Sequence, residues 1–248
     1  MIEIIRSEKD SALAAKLGTG PVQHAIRKHA HSTDSLSVVI SGRAEVEIGF
    51  DRLVVNAGEF VWIPAGLAHL CRPMDSGQFE FAVLHVPAGD PSFDPYQHCS
   101  PRSGKIDTTW FTRLSSQTLG RPPASDLHGL AKRCASIVLR ANPLPIRHAD
   151  PVPMEMVRSE SDERRTSGPE ETDRFRSYRA FRSRYSLGPA AVHQVQRIEY
   201  AIALISDGVS IAEVAVRCGY FDQSHLVKAF RAYTGTTPSA YRVKPPRT

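Results

Sequence analysis

Three histidines in the first half of the chain have the types and spacing that suit ligand binding. His29 and His31 flank one alanine just before a predicted strand, and His69 ends the run GEFVWIPAGLAH, which begins at Gly58. Three imidazoles can ligate a divalent ion, line a pocket for a small polar or aromatic molecule, or be fixed by hydrogen bonds at the mouth of a barrel. We predict the effector-binding role, with Trp62 as a fourth pocket residue and with no bound metal.

A second set of side chains, near the C-terminus, is suited to binding nucleic acid. They lie at the start and on one face of a predicted helix whose opposite face carries Leu226 and Phe230. The polar side chains of this set are Gln223, Ser224, His225, Lys228 and Arg231. Such side chains hydrogen-bond base edges and phosphates, and a protruding helix fits the major groove of DNA.

Two short helices around a tight turn would position this polar face. The apolar residues of the first helix recur at i, i+3, i+4 and i+7, and they are Ile211, Val214, Ala215 and Cys218. Ser210 and Glu213 have the spacing of a capping box, and Asp222 suits the N-cap of the second helix. Gly235 suits a left-handed C-cap. The pattern predicts a helix-turn-helix.

Residues 210–242, SIAEVAVRCGYFDQSHLVKAFRAYTGTTPSAYR, resemble the second helix-turn-helix of AraC/XylS-type transcription regulators almost position by position. The resemblance is carried by GYFDQSHLVKAFR and the following GTTPSAYR. It implies a sequence-specific regulator of transcription that binds double-stranded DNA, is controlled by a small-molecule effector and is not an enzyme. The positions that it implies for reading or clamping DNA are Gln223, Ser224, His225 and Lys228.

The same family carries two such units joined by a long helix, and this chain repeats itself in part. Residues 173–182 align with 222–231, and residues 190–207 match the connecting helix. The equivalent DNA-contacting positions of the first unit are Arg174, Tyr178 and Arg179.

The first unit departs from the family pattern in its upstream helix. The run 157–171, VRSESDERRTSGPEE, has almost no apolar residue after Val157. An ordered helix there gains no burial to offset its loss of conformational entropy. We therefore predict a recognition-like helix over about 172–184 with a poorly formed partner. The first unit would contribute mostly phosphate contacts, and base-specific reading would rest on the second unit.

The N-terminal part of the chain reads as short strands separated by glycine turns, as where Leu36 and Val38 alternate with polar residues. This spacing predicts a small antiparallel sandwich or barrel. The His-x-His pair and the run from Gly58 resemble the two halves of the cupin motif, which implies a jelly-roll barrel. Cupins that bind metal also use a glutamate, whose position here is Ser35, with Asp34 beside it. Cupin sensor domains of AraC-type regulators mostly bind organic effectors instead.

The predicted fold class is α+β with two domains, an N-terminal antiparallel β jelly-roll (cupin-like) barrel and a C-terminal all-α tandem helix-turn-helix. We expect an effector domain over 1–90, a linker over 91–150 and a DNA-binding domain over 151–248. A helix over 126–140 in the linker carries an apolar stripe. That stripe must pack on its own barrel or on a second subunit of a homodimer, and the family arrangement implies a dimer.

Composition supports this outline without deciding it. The net charge is +5, and arginines are concentrated after Arg158, which suits a polyanionic partner. The four cysteines have no zinc-ligand spacing, as expected for reduced thiols of a cytosolic protein. No apolar run is long enough for a signal peptide or a membrane span, so we expect a soluble cytoplasmic protein.

Two alternatives stay open at the level of sequence. One is a metal-dependent cupin enzyme with a vestigial DNA-binding domain. The other is a regulator that has lost DNA binding through its damaged first unit and acts only by dimerising.

Overall fold

The structure is a computed structural model, and the residues that it describes are 2–6, 13–19, 27–74, 79–88, 100–117, 125–147, 149–154 and 171–242. The strands within these ranges are β1 (Ile2–Arg6), β2 (Ala14–Thr19), β3 (Thr33–Ser41), β4 (Arg43–Ile48), β5 (Asp51–Asn56), β6 (Glu59–Ile63), β7 (His69–Pro73), β8 (Glu80–Pro87) and β9 (Arg102–Lys105).

The strands form two antiparallel sheets that pack face to face. The larger sheet has the order β1-β2-β8-β3-β6-β9, and the smaller has the order β5-β4-β7. Because successive side chains of a strand point to opposite faces, β6 contributes to two cores. Val61 and Ile63 lie between the sheets, whereas Phe60 and Trp62 lie on the outer face of the larger sheet. The predicted antiparallel cupin-like fold is confirmed, although among the described residues the two sheets are not hydrogen-bonded into one closed barrel.

Two helices cover the outer face of the larger sheet, α1 (Thr109–Gln117) and α2 (Ser125–Arg140). The buried apolar residues of α2 are Leu127, Leu130, Ala131, Cys134, Ala135 and Val138. They share one core cluster with Leu36 and Trp62 of the sheet. Burying a leucine fully stabilises a fold by roughly 1.5–3 kcal/mol. Of the two alternatives for this apolar stripe, the chain's own sheet is therefore the partner.

The C-terminal domain is helical. Its elements are α3 (Glu171–Tyr185), α4 (Pro189–Ser206), α5 (Ile211–Arg217), α6 (Gln223–Thr234) and a 3-10 helix (Pro238–Tyr241). Buried residues of α4, α5 and α6 form one core. The helix predicted to be poorly formed near 157–171 lies outside the described residues, except for Glu171, where α3 begins. None of the helices in the described ranges combines the length and apolarity needed to cross a lipid bilayer.

The two domains share a core and are joined by hydrogen bonds. Ala30 and Ala68 of the cupin domain lie in the same cluster as the core of α4 to α6. The Arg27 N–H donates to the Ala232 carbonyl at 3.1 Å, and the Lys16 ammonium group donates to the carbonyl of Thr234. Both carbonyls belong to the C-terminal end of α6, so the cupin domain holds that end of the helix.

A second set of contacts joins the cupin side to the end of α3. Arg184 Nε lies 2.6 Å from the Asp150 carboxylate. Lys28 pairs with Glu47 at 2.8 Å and also donates to the Ser186 hydroxyl just after α3. These contacts fix the position of the C-terminal end of α3 relative to the cupin domain.

Lys16 should make stability depend on pH in the alkaline range. Its side chain is buried, and burial lowers its pKa from 10.5 to about 7, against a small raising effect of Cys71. The unfolded chain therefore binds more protons than the folded chain between these two values. The contribution of Lys16 to stability is lowest below about pH 7 and rises up to about pH 10.5, by at most ~1.4 kcal/mol per pH unit.

Replacing Lys16→Met should remove this rise, as measured by chemical denaturation between about pH 6.5 and 10. Lys105→Met changes an exposed lysine of β9 and should leave the rise intact. If stability still rises with pH in Lys16→Met, another titrating group causes the rise.

Candidate DNA interface and interdomain histidine cluster

The two helices of the second helix-turn-helix begin at side-chain caps. Ser210 Oγ accepts a hydrogen bond from the Glu213 N–H at 3.2 Å. Asp222 Oδ1 accepts one from the His225 N–H at 2.7 Å. Both predicted N-caps are thus present. The Glu213 carboxylate pairs with Arg217, so the first cap uses one half of the reciprocal capping box.

Arg197 of α4 braces the turn between α5 and α6. Its guanidinium donates to the carbonyls of Cys218 at 2.6 Å and Gly219 at 2.5 Å. It also lies 3.8 Å from the centre of the Tyr220 ring. Gly219 has a φ of +69°, which residues with a side chain rarely adopt. The start of α6 is therefore held at a fixed angle to α4.

The predicted polar residues of α6 are all exposed. Ser224, Lys228 and Arg231 lie on one outward face of the helix, and Gln223 and His225 lie in its first turn. Leu226 and Phe230 on the opposite face are fully buried.

The sequence analysis missed two exposed apolar residues of the second helix-turn-helix. Phe221, just before α6, is 93% exposed, and Val216 of α5 is 75% exposed. Apolar side chains at such positions can contact the thymine methyl group. Their one signal in the sequence is that they fall outside the apolar stripes of α5 and α6.

Helix α3 presents part of the predicted first-unit surface. Arg179 is exposed and Tyr178 is 46% exposed. Arg174 lies in the first turn of α3, and its side chain is outside what the structure describes. The helix is attached through Phe181 and Tyr185, whose rings lie 4.6 Å apart and pack against the C-terminal core.

The three predicted ligand-binding histidines (His29, His31 and His69, the histidine cluster) lie where the cupin domain meets α4. One potential ligand atom from each ring lies within 4.8 Å of the others. The His29 ring centre is 4.7 Å from that of His31 and 4.6 Å from that of His69. Backbone hydrogen bonds of 2.9 and 2.7 Å pair His29 with His69. The structure thus brings His69 to the His29/His31 pair, from which it is distant in sequence.

Backbone carbonyls fix the orientation of two of these rings. His29 Nδ1 lies 2.9 Å from the Arg27 carbonyl, and His69 Nδ1 lies 2.8 Å from the Leu67 carbonyl. Since a carbonyl can only accept, each Nδ1 carries a hydrogen, and each Nε2 of the neutral ring carries a lone pair. This is the tautomer in which Nε2 can bind a metal or accept a hydrogen bond.

His69 is neutral at ordinary pH. Burial lowers its pKa to about 3, and the charges of His31 and Lys28 act in the same direction, against the hydrogen bond to the Leu67 carbonyl. A neutral imidazole is the form that ligates metals.

Glu199 of α4 lies against the histidine cluster, and the sequence analysis missed it. Its Oε2 accepts hydrogen bonds from the Ser32 N–H at 3.0 Å and the Ser32 Oγ at 2.5 Å. Its Oε1 is 3.5 Å from His31 Nδ1. Burial opposes ionisation, but the hydrogen bond and charge of His31 and the Ser32 bonds together hold the pKa of Glu199 below its usual value. Its one signal in the sequence is an acidic residue inside the mostly apolar run IEYAIALI.

A small cavity separates the histidine cluster from the helices of the C-terminal domain. Its volume is about 10 Å³, and its lining includes His29, His31, Glu199, Ile198 and Tyr233. A space of this size holds one water molecule or one ion.

Trp62 is not brought to the histidine cluster. It is fully buried among the residues under α1 and α2, on the outer face of the larger sheet. Its neighbour Ile63 is the one that points between the sheets. Because successive side chains of β6 point to opposite faces of the sheet, Trp62 does not line the histidine site that the sequence analysis had predicted for it.

Comparisons with known proteins agree with this two-part organisation. A cupin-domain family model matches residues 19–90, and a helix-turn-helix-domain family model matches residues 171–244. Comparison with curated protein sequences finds no match.

Solved structures of ToxT from Vibrio cholerae are similar over nearly the whole chain. An apo variant from strain SCE256 has a TM-score of 0.53 at 13% identity, covering 94% of this chain and 97% of that chain. Wild-type ToxT of the same strain with an unsaturated fatty acid bound gives 0.53 at 13%, with coverages of 94% and 95%. ToxT from strain O395 gives 0.50 at 14%, with coverages of 97% and 95%. At these identities the likeness establishes a shared fold.

The two matched domains and the exposed face of α6 define a class of protein, a transcription regulator that binds DNA through a helix-turn-helix and carries a cupin domain. The resemblance found in the sequence is confirmed. The chain carries an N-terminal cupin domain and a C-terminal helix-turn-helix domain, which is the organisation that the resemblance to AraC/XylS-type regulators implies.

The cap at Asp222 should contribute measurably to the stability of α6. Asp222→Ala removes the acceptor of the His225 N–H and should cost ~1 kcal/mol in urea denaturation of the full chain. It should also speed hydrogen exchange at the first amides of α6. Asp222→Asn keeps an acceptor and should behave like the unmodified chain. Equal losses in both variants would point to the charge rather than the hydrogen bond.

Proposed function

We propose that α6 enters the major groove and that its exposed polar face reads the bases. The observation that supports this proposal is the exposure of five polar side chains, three of them on one face, on a helix that is capped and braced at its start. At 12 residues, the helix is ~18 Å long, and the groove is ~12 Å wide. Phe221 would add an apolar contact beside this face.

The first unit would bind DNA mostly through phosphates. The arginines of α3 are Arg174, Arg176, Arg179, Arg182 and Arg184. Arg184 already pairs with Asp150 at 2.6 Å, so we expect it to contribute less than the others. Cations along one helix favour phosphate contacts, which give affinity without sequence preference.

The histidine cluster is the effector site that we propose, without Trp62. It is supported by position, because the cluster contacts α4 through Glu199, and α4 connects the two DNA-binding units. A ligand at this point would alter how the units are held. Control by a small molecule is also supported by the similar fold of ToxT, one solved form of which holds an unsaturated fatty acid.

We further propose that the protein acts in the cytoplasm and that it is a homodimer. A chain with one base-reading unit gains affinity when a second copy binds the neighbouring half-site at the same time. The apolar stripe of α2 is buried on its own sheet. A dimer would therefore have to use another surface.

Lys228 provides a test of the DNA interface. If it contacts a phosphate, Lys228→Ala should weaken binding to all sequences and reduce the salt slope by about one. If it contacts guanine, the loss of about 1–3 kcal/mol should be confined to one base pair. Fluorescence anisotropy with DNA from upstream of the protein's own gene, at several salt concentrations, distinguishes these outcomes.

Lys132→Ala is the matched control, since it removes an exposed lysine from α2 with the same change of charge. It should bind DNA like the unmodified chain. An unchanged affinity of Lys228→Ala would remove Lys228 from the interface.

The two units should leave different footprints. We expect each subunit to protect one segment in which base changes abolish protection, and one in which they are tolerated. Hydroxyl-radical footprinting on a series of altered operators measures this difference. Two segments of equal base specificity per subunit would contradict the phosphate-binding role of the first unit.

A further inference from the structure

Phe221 is the most exposed of the large apolar side chains in the described part of the chain. It is 93% exposed and directly precedes Asp222, the N-cap of α6. Burying an aromatic ring stabilises a fold, and almost none of that stabilisation is obtained here within the chain. Single exposed apolar residues are common on protein surfaces, so the case for a partner depends on how this ring is held.

The backbone on both sides of Phe221 is fixed. Tyr220 is buried, and the Arg197 guanidinium lies 3.8 Å from the centre of its ring. On the other side, the Asp222 carboxylate accepts the His225 N–H at 2.7 Å. Phe221 therefore lies between two anchored residues, and the fold presents its ring to solvent at a defined place.

The position of Phe221 beside α6 determines what its ring can contact. In a helix-turn-helix, the N-terminal residues of the second helix contact base edges, whereas the first helix crosses the DNA backbone. Consecutive Cα atoms are ~3.8 Å apart, so the Phe221 Cα lies within ~7.6 Å of that of Gln223, where α6 begins. With α6 in the major groove, the Phe221 ring lies beside the base pairs that the first residues of α6 meet.

The chemistry of this position favours a base over a phosphate. A phenylalanine ring offers no hydrogen-bond donor to a phosphate oxygen, and the exposed carboxylate of the adjoining Asp222 repels an anion. Among the groups that bases display in the major groove, the C5-methyl group of thymine is the apolar one, and phenylalanine is among the side chains that contact it. The thymine methyl group is therefore the partner that suits the ring.

We propose that Phe221 is a specificity-determining residue that reads one thymine of the operator through its C5-methyl group. The proposal rests on the proposed function in taking α6 as the helix that enters the major groove, and it adds the identity of one base that is read. Because the contact needs the methyl group and not a hydrogen-bonding edge, uracil does not replace thymine at this position, although it pairs with adenine in the same way.

Removing single methyl groups from the DNA tests the contact. Operator DNA is taken from upstream of the protein's own gene, and deoxyuridine replaces each thymine of the protected segment in turn. We expect affinity to fall ~4-fold at one position, the loss that corresponds to one buried group of methyl size. Fluorescence anisotropy with the full chain measures the affinity for each duplex.

Variants of Phe221 assign the methyl contact to this residue. Phe221→Ala should bind the thymine and deoxyuridine duplexes equally, whereas Phe221→Leu, which keeps a large apolar side chain, should still prefer thymine. Phe50→Ala is the matched control, since it makes the same change at an exposed phenylalanine of the cupin domain, and it should keep the ~4-fold preference. Because the Phe221 ring is exposed, Phe221→Ala should have the thermal midpoint of the unmodified chain.

Three results would overturn the proposal while leaving the proposed function intact. The first is an operator in which no replacement of thymine by deoxyuridine lowers the affinity. The second is a preference for thymine that persists in Phe221→Ala, which would assign the methyl contact to another residue. The third is an equal loss of affinity for both duplexes in Phe221→Ala, which would point to insertion of the ring between base steps. A chain that binds no DNA sequence specifically would refute the proposed function and this inference together.

Discussion

The two hydrogen bonds from Ser32 to the Glu199 carboxylate are the contact on which the arrangement of the domains depends. A carboxylate with little exposure is costly unless it is hydrogen-bonded, and a hydrogen bond to a charged group contributes ~1.5–3 kcal/mol. Around it, Ala30 and Ala68 share a core with α4. The apolar contact supplies non-directional stabilisation, while the Ser32 bonds fix the rotation and register of α4.

Helix α4 fulfils three roles through three consecutive residues. Arg197 bonds to the turn of the second helix-turn-helix, Ile198 is buried in the core, and Glu199 bonds to Ser32 of the cupin domain. Neighbouring residues of an α-helix point ~100° apart, so these three side chains point into three different surroundings. A disturbance at the cupin end therefore reaches the DNA-binding turn within one helical turn of backbone, without passing through a loop.

The features that the sequence predicts correctly depend on local geometry. The caps at Ser210 and Asp222 follow from hydrogen bonds across three residues, and the antiparallel strands follow from a period of two. Trp62 was misplaced because both faces of β6 are buried, one between the sheets and one under α1 and α2. In such a strand alternation shows which residues share a face, but not which face bounds the ligand site. Glu199 was not predicted because its partner, Ser32, is 167 positions away in the sequence, and no periodic pattern links the two residues.

The anchoring of α6 at its C-terminal end has a geometric consequence for how DNA is read. Lys16 and Arg27 hold the carbonyls of Thr234 and Ala232, whereas the side chains that we propose for reading bases begin at Gln223. Because Arg197 braces the start of α6 against α4, the helix would move together with α4 about this anchored end. A tilt of ~10° about the anchored end of the ~18 Å helix displaces its start by ~3 Å, close to the 3.4 Å rise of one base pair. Small changes at the domain boundary would therefore change which base step the helix meets, so that control could act on operator register as well as on affinity.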